Sequence, residues 1–81
     1  MQVTVCFYSY FKDLTGCARV TEALPEGSTL DDLFHKVAVH FPKMAGMRKS
    51  TLMAVGVDYQ DGRYVLKSGD EVSLFPPVQG G

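Results

Sequence analysis

Apolar and polar positions alternate from Gln2 to Tyr8, with Val3, Val5 and Phe7 on one side and Gln2, Thr4, Cys6 and Tyr8 on the other. A period of two belongs to a strand with one buried face, so the pattern predicts a first strand here. Lys12-Asp13-Leu14-Thr15-Gly16 breaks the alternation and supplies a turn. Ala18, Val20, Glu22 and Leu24 then mark a second, less apolar strand. The two are expected to form a hairpin with a long, structured connection.

The period then changes. Pro25, Gly27, Ser28 and Thr29 are a break followed by N-cap candidates, and Asp31 and Asp32 fall in the first helical turn, where the helix dipole favours carboxylates. Leu30, Leu33, Phe34, Val37, Ala38 and Phe41 follow at i, i+3, i+4, i+7, i+8 and i+11, which is one apolar stripe, while Asp32, Lys36 and His40 share the opposite side and Pro42 ends the run. A helix with a single stripe must bury it against a sheet. Residues 51–57 read as a third strand, and Asp61-Gly62 is a turn leading to the short apolar run Tyr64-Val65-Leu66. After a second turn at Lys67-Ser68-Gly69-Asp70, residues 71–75 alternate again and stop at Pro76-Pro77, which cannot continue a ladder.

Strand, strand, helix, strand, short strand, strand predicts an α+β fold of the β-grasp type: a mixed sheet of four to five strands clasping one amphipathic helix. The expected division is a domain over residues 1–75 and a flexible tail over 76–81. A ferredoxin-like sandwich needs a second helix, and residues 44–50 are too short and too basic to supply one.

Composition narrows the function classes. Eighty-one residues make one small domain, and 46% hydrophobic with 21% charged residues is the profile of a folded chain. Eight basic residues against nine acidic ones leave a net charge of −1, too little field to draw in nucleic acid or an anionic membrane without sequence preference. With no ~20-residue apolar span and no signal-like amino terminus, a soluble cytoplasmic protein is expected. Cys6 and Cys17 read as free thiols. His35 and His40 are five apart and do not share a helix face, and the cysteines have no close-spaced partner, so no metal site is expected. Lys43, Arg48 and Lys49 read as a solvated basic loop.

The tail carries the chemistry. Gly80 and Gly81 place no side chain beside a terminal carboxylate, so that carboxylate could enter a narrow partner site; once activated as an acyl-adenylate it would accept a sulfur or nitrogen nucleophile. Pro76-Pro77 stiffens the launch of this tail from the last strand. If Val3, Val5 and Phe7 face the helix, Tyr8 and Phe75 are aromatic side chains on the open sheet face, next to the tail, and aromatics there favour a partner surface. Tyr59, at a turn, is a further candidate.

Gly69-Asp70-Glu71-Val72 followed by Leu74-Phe75-Pro76-Pro77-Val78-Gln79-Gly80-Gly81 resembles the C-terminal signature of the small, sulfur-carrying subunit of molybdopterin synthase, the MoaD type. The resemblance spans the chain, including Lys12-Asp13-Leu14-Thr15-Gly16 after the first strand; it departs at Gly56-Val57-Asp58, where relatives commonly carry an Asn. It implies a ubiquitin-like carrier whose Gly81 is the reacting residue, with Gly80 as clearance beside it and Phe75, Tyr8, Tyr59, Pro76, Pro77 and Val78 at the partner interface. It also implies a MoeB-type adenylyltransferase that uses ATP and magnesium, no cofactor on this chain itself, and a MoaE-type large subunit in a heterotetramer of two small and two large subunits. The reaction so implied adenylates the glycine, converts it to a thiocarboxylate, and passes sulfur to cyclic pyranopterin monophosphate to form the dithiolene of molybdopterin. A modifier conjugated to lysines and a sulfur carrier for thiamine thiazole synthesis share the fold and the tail, and stay open on composition and periodicity alone.

Overall fold

The computed structural model describes residues 1–77; the expectations for Val78, Gly80 and Gly81 concern positions outside the described residues. The elements run β1 (Gln2–Phe7), α1 (Tyr10–Thr15), β2 (Arg19–Ala23), α2 (Leu30–His40), β3 (Leu52–Val55), β4 (Asp58–Tyr59) and β5 (Glu71–Phe75), with single 3-10 turns at Pro42–Met44 and Arg48–Ser50. The five strands form one sheet in the order β2-β1-β5-β3-β4. Its centre is a parallel pair, β1 beside β5, with Thr4 opposite Glu71 and Phe7 opposite Leu74, and the other neighbours are antiparallel. This is the mixed β-grasp sheet that the sequence predicts.

The stripe on α2 is the reason for that arrangement. Leu30, Leu33, Phe34 and Val37 are buried against Val3, Val5 and Phe7 of β1 and Val72 and Leu74 of β5 in one core cluster. The 3-10 turn after the helix adds Met44, which is fully buried. Truncating a filled core position of this kind, such as Phe34→Ala, removes about 3–5 kcal/mol, a large share of what a domain this size has in hand.

The start of α2 is unusually well satisfied. Thr29 Oγ1 accepts from the Asp32 amide at 3.2 Å and Asp32 Oδ2 accepts from the Thr29 amide at 2.9 Å, a reciprocal capping box with Asp at the third helical position. The Leu30 amide donates to the Tyr64 carbonyl and the Asp31 amide to the Gly62 carbonyl, both at 3.0 Å. This corrects the expected fourth strand. Residues 62–66 spend their backbone groups on the helix terminus and on a bond from the Leu66 amide to the Ser28 carbonyl, so they contribute only a single bridge, Thr29 with Val65. The short strand is instead Asp58–Tyr59.

Two smaller corrections follow. The connection between β1 and β2 contains the helix α1, anchored by fully buried Phe11 and closed by Gly16 at φ 76. The third strand stops at Val55, because Gly56 turns the chain. On the polar side of α2, His40 is exposed, and its Nδ1 lies 2.9 Å from Oε2 of Glu22, whose residue is only 3% exposed. Lys36 reaches the Ala23 carbonyl, so two polar side chains of α2 tie its last turns to β2.

Thr29→Ala is expected to lower the unfolding free energy by ~1 kcal/mol in urea titration. The Thr29 backbone N–H, and after it the Thr29 hydroxyl, hold the Asp32 carboxyl below its usual range. A depressed folded-state value contributes stability above the unfolded value of about 3.9, and that contribution is lost as pH falls through the folded value. Asp32→Asn should therefore be destabilising at neutral pH, with the gap to wild type closing in acid. A gap that stayed constant from pH 7 down through the acid transition would contradict this account.

Candidate functional site

β1 and β5 are parallel, so their carboxyl ends emerge together on one edge of the sheet, and Tyr8 and Phe75 are brought side by side there. Their rings stack with centroids 4.7 Å apart and planes 17° from parallel, and the Tyr8 amide donates to the Leu74 carbonyl at 3.2 Å. Tyr59 of β4 approaches the same ring of Phe75 at 6.3 Å, tilted by 57°. It sits on a strand rather than at the expected turn. Its position comes from a two-residue hairpin in which Val55 pairs with Asp58 and Gly56 holds φ 61 in the first loop position. The departure at Gly56-Val57-Asp58 is thus the turn that delivers Tyr59.

Tyr8, Tyr59, Phe75, Pro76 and Pro77, drawn from distant parts of the chain, line one apolar depression of about 350 Å³. The sequence reading missed three more lining residues, Ser9, Tyr10 and Leu52. Leu52 was legible: it lies opposite Phe75 in the β3–β5 register, and so shares its outward face. Ser9 was not, because its signal is conformational: φ 56 and ψ −139, a strained setting that costs of order 1–3 kcal/mol for a residue other than glycine. Tyr59 is 69% exposed, and Tyr8, Tyr10 and Leu52 are each exposed by about two-fifths. These exposed apolar side chains are contiguous around one depression and not scattered singly.

Beyond this patch the outward sheet face is quiet. Cys6, Ser73 and Ala54 sit in one row across three strands, buried although no helix covers them. Arg19 of β2 reaches Glu71 at 3.3 Å, and contact with Cys6 first, then with Glu71, raises its guanidinium further above its ordinary value. Both cysteines are free thiols. A second groove of about 420 Å³ shares Leu52 and Tyr59 with the first and continues to Arg48 and Asp61. There Arg48 pairs with Asp31 at 2.6 Å, so it is not simply solvated, and the Arg63 side chain and then its backbone N–H hold Asp61 below the usual carboxylate range.

Among the described residues, no group of three or more His, Cys, Asp or Glu side chains could hold a metal ion, and no helix is long and apolar enough to cross a membrane. A single clasped helix, a parallel central pair and an aromatic pad at the strand end define a ubiquitin-like β-grasp domain. The ThiS family matches residues 5–81, and the chain belongs to it.

Over the full length of both proteins, the chain is 30% identical to a molybdopterin synthase sulfur carrier subunit from Chlamydomonas reinhardtii. Among solved structures, small archaeal modifier protein SAMP1 from Haloferax volcanii superposes with a TM-score of 0.91 at 17% identity, covering all of both chains. A complex of subunits 1 and 2 of the molybdopterin-converting factor from Helicobacter pylori contains a chain that superposes with a TM-score of 0.70 at 23% identity, again covering all of both chains. These two likenesses, at such identities, are likenesses of fold.

Gly56→Ala places a side chain in the left-handed region and is expected to cost about 1–2 kcal/mol. The hairpin that carries Tyr59 should loosen first. Hydrogen exchange at the Gln60 amide, bonded to the Met53 carbonyl at 3.0 Å, is expected to speed up more than exchange along α2. Equal acceleration at both places would mean that Gly56 supports the whole fold rather than the hairpin.

Proposed function

We propose that this chain is the sulfur-carrier subunit of a molybdopterin synthase, and that its reacting group is the carboxylate of Gly81. One observation carries the reading: the chain matches a curated sulfur carrier of that name from end to end. The aromatic depression at the root of the tail is the docking surface such a carrier needs, and Pro76-Pro77 at its rim reduce the freedom lost when the tail is delivered. Four residues beyond Pro77 span at most ~14 Å when fully extended, so a partner docked on Tyr8, Tyr59 and Phe75 must keep its reactive centre within that radius. Gly80 and Gly81 let the carboxylate pass where a side chain would not.

The chemistry follows from a terminal carboxylate. On a MoeB-type adenylyltransferase that binds ATP and magnesium, a carboxylate oxygen of Gly81 attacks the α-phosphorus and pyrophosphate leaves. The terminal sulfur of a persulfide then attacks the acyl carbon, AMP departs, and a second thiol reduces the acyl disulfide to release the thiocarboxylate. On a MoaE-type large subunit the sulfur passes to cyclic pyranopterin monophosphate, and two such deliveries build the dithiolene. We read the assembly as two small and two large subunits. The similar fold of a chain in the Helicobacter pylori complex, which joins subunit 1 to subunit 2, supports a large-subunit partner. Two free cysteines suit a reducing compartment, and we place the protein in the cytoplasm. We read the chain as the small subunit of a sulfur-transfer enzyme whose reaction is completed on the large subunit. Conjugation to lysines is the alternative that intact mass from cells decides: a thiocarboxylate adds only the mass difference between sulfur and oxygen, whereas a conjugate carries a whole target protein.

Adding one residue after Gly81 is expected to abolish pyrophosphate exchange with the activating enzyme, because the carboxylate moves by ~3.5 Å. Gly81→Ala should impair transfer more than docking. Normal exchange by the extended chain would remove Gly81 as the reacting residue.

Phe75→Ala should weaken binding to the large subunit by ~2 kcal/mol or more, measured by titration calorimetry. Its ring packs on Tyr8 and Tyr59 at the surface and not in the core, so the melting temperature should change little. Unchanged affinity would mean that the partner docks elsewhere.

A further inference from the structure

Ser9 is the one residue other than glycine at positive φ among the described residues. The Tyr8 carbonyl accepts from the Phe11 amide at 3.1 Å, so residues 8–11 close a tight turn with Ser9 in its second position. At φ 56 and ψ −139, Ser9 holds the place that a type II′ turn ordinarily gives to glycine. Glycine would adopt it without strain. Serine does not, and the free protein gains nothing visible from the hydroxyl: Ser9 stands at the N-cap of α1, yet its side chain makes no cap hydrogen bond there.

What the side chain has is its location. Ser9 is exposed between Tyr8, stacked on Phe75, and Tyr10, packed edge-on against Phe11 at 5.1 Å, and Tyr8, Ser9 and Tyr10 all line the apolar depression. Apart from the tyrosine hydroxyls at the tips of their rings, Ser9 carries the only polar side chain of that lining among the described residues. Recognition surfaces of this composition use a small number of placed polar groups to fix orientation, while the surrounding aromatics exclude water and strengthen each hydrogen bond. A hydroxyl can donate or accept, and serine is small enough to present it between two larger side chains of the lining.

On the carrier reading, in which the large subunit docks on this depression, we infer that Ser9 is a specificity-determining contact. Its hydroxyl hydrogen-bonds a polar group on the otherwise apolar segment of the large subunit seated between Tyr8 and Tyr10. The strained turn is kept because only a side chain at that position supplies the bond. Tyr8 and Phe75 then provide area, and Ser9 provides orientation, which the tail needs if Gly81 is to arrive in register.

The test uses the full chain and the large subunit, with thermal melting of the free chain and calorimetric titration of the pair for wild type, Ser9→Gly and Ser9→Ala. Ser9→Gly relieves the strain and removes the hydroxyl. It should melt about 4–8 °C higher and bind about five- to tenfold more weakly. Stability and affinity thus move in opposite directions, which a purely structural role would not produce. Ser9→Ala keeps the strained φ without the hydroxyl, so it should melt no higher than wild type and lose the same affinity. Wild-type affinity in Ser9→Gly or in Ser9→Ala overturns the inference, and so does a lower melting temperature in Ser9→Gly. A wild-type chain that does not bind the large subunit instead overturns the carrier reading itself, so the two failures are told apart by the control.

Discussion

The parallel pairing of β1 with β5 is the constraint on which the rest of this molecule depends. It joins residues 4–7 to residues 71–74, nearly the whole length of the chain apart, and sets the two most buried strands side by side inside the sheet. Parallel neighbours point the same way, so whatever follows β1 and whatever follows β5 must leave from the same edge. That is why Tyr8 lies on Phe75, and why the turn at Ser9 and the prolines at 76 and 77 meet around one depression. An antiparallel centre would have sent the tail away from the aromatic pad. The cost is kinetic: a pairing of such sequence separation closes a long loop before it gains contacts, which slows folding relative to a helical domain of equal size.

The helix α2 makes that pairing worthwhile, and its own start explains an irregularity elsewhere. The first amides of a helix have no partners inside it. Here Thr29, Gly62 and Tyr64 supply them from outside, so residues 62–66 are held across the helix terminus instead of along the sheet. The sheet edge is left to the two-residue strand β4, which is too short to offer a neighbouring molecule a long unpaired ladder. At the far end, Glu22 and His40 join the last turn of α2 to β2, with the buried carboxylate finding its partner on the helix rather than in water. Both helix ends are therefore pinned by side-chain or backbone groups from the sheet side of the molecule.

How much of this was legible depends on whether the cause was periodic. β1, α2 and β5 follow repeats of two or 3.6 long enough to stand out, and they fix the fold class. The capping residues of α2 were visible as Thr29 with Asp31 and Asp32, although the reciprocal bond to Asp32 needs coordinates. α1 was not visible, because six residues with one buried side chain, Phe11, carry no period, and tertiary packing forms the helix where local propensity does not. β4 was misplaced since Tyr64-Val65-Leu66 looks more like a strand than Asp58-Tyr59; the deciding fact is where the backbone bonds of 62–66 go, and sequence does not record it. At the site, Tyr8, Tyr59 and Phe75 were named as aromatics, and the structure brings them together. Leu52 follows from register with Phe75, while Ser9 announces itself only through its dihedral angles.

On the carrier reading, joining a folded domain to a reactive end also sets what the surface must do. A carrier has to release each partner after its turn, so its docking surface cannot rely on area alone, and a small apolar depression with few polar groups is suited to moderate affinity. Under that condition orientation becomes the scarcer quantity. On the same reading, a tail with a reach of only ~14 Å would deliver its carboxylate correctly if the first docked residues fix both position and rotation of the domain. Stacked rings resist separation but permit sliding in their common plane. The directional hydrogen bond proposed for Ser9 would remove that freedom, and the proline pair would carry the resulting orientation toward the tail. On that reading the aromatic pad sets how tightly a partner is held, and the residues that fix rotation set whether the held chain reacts.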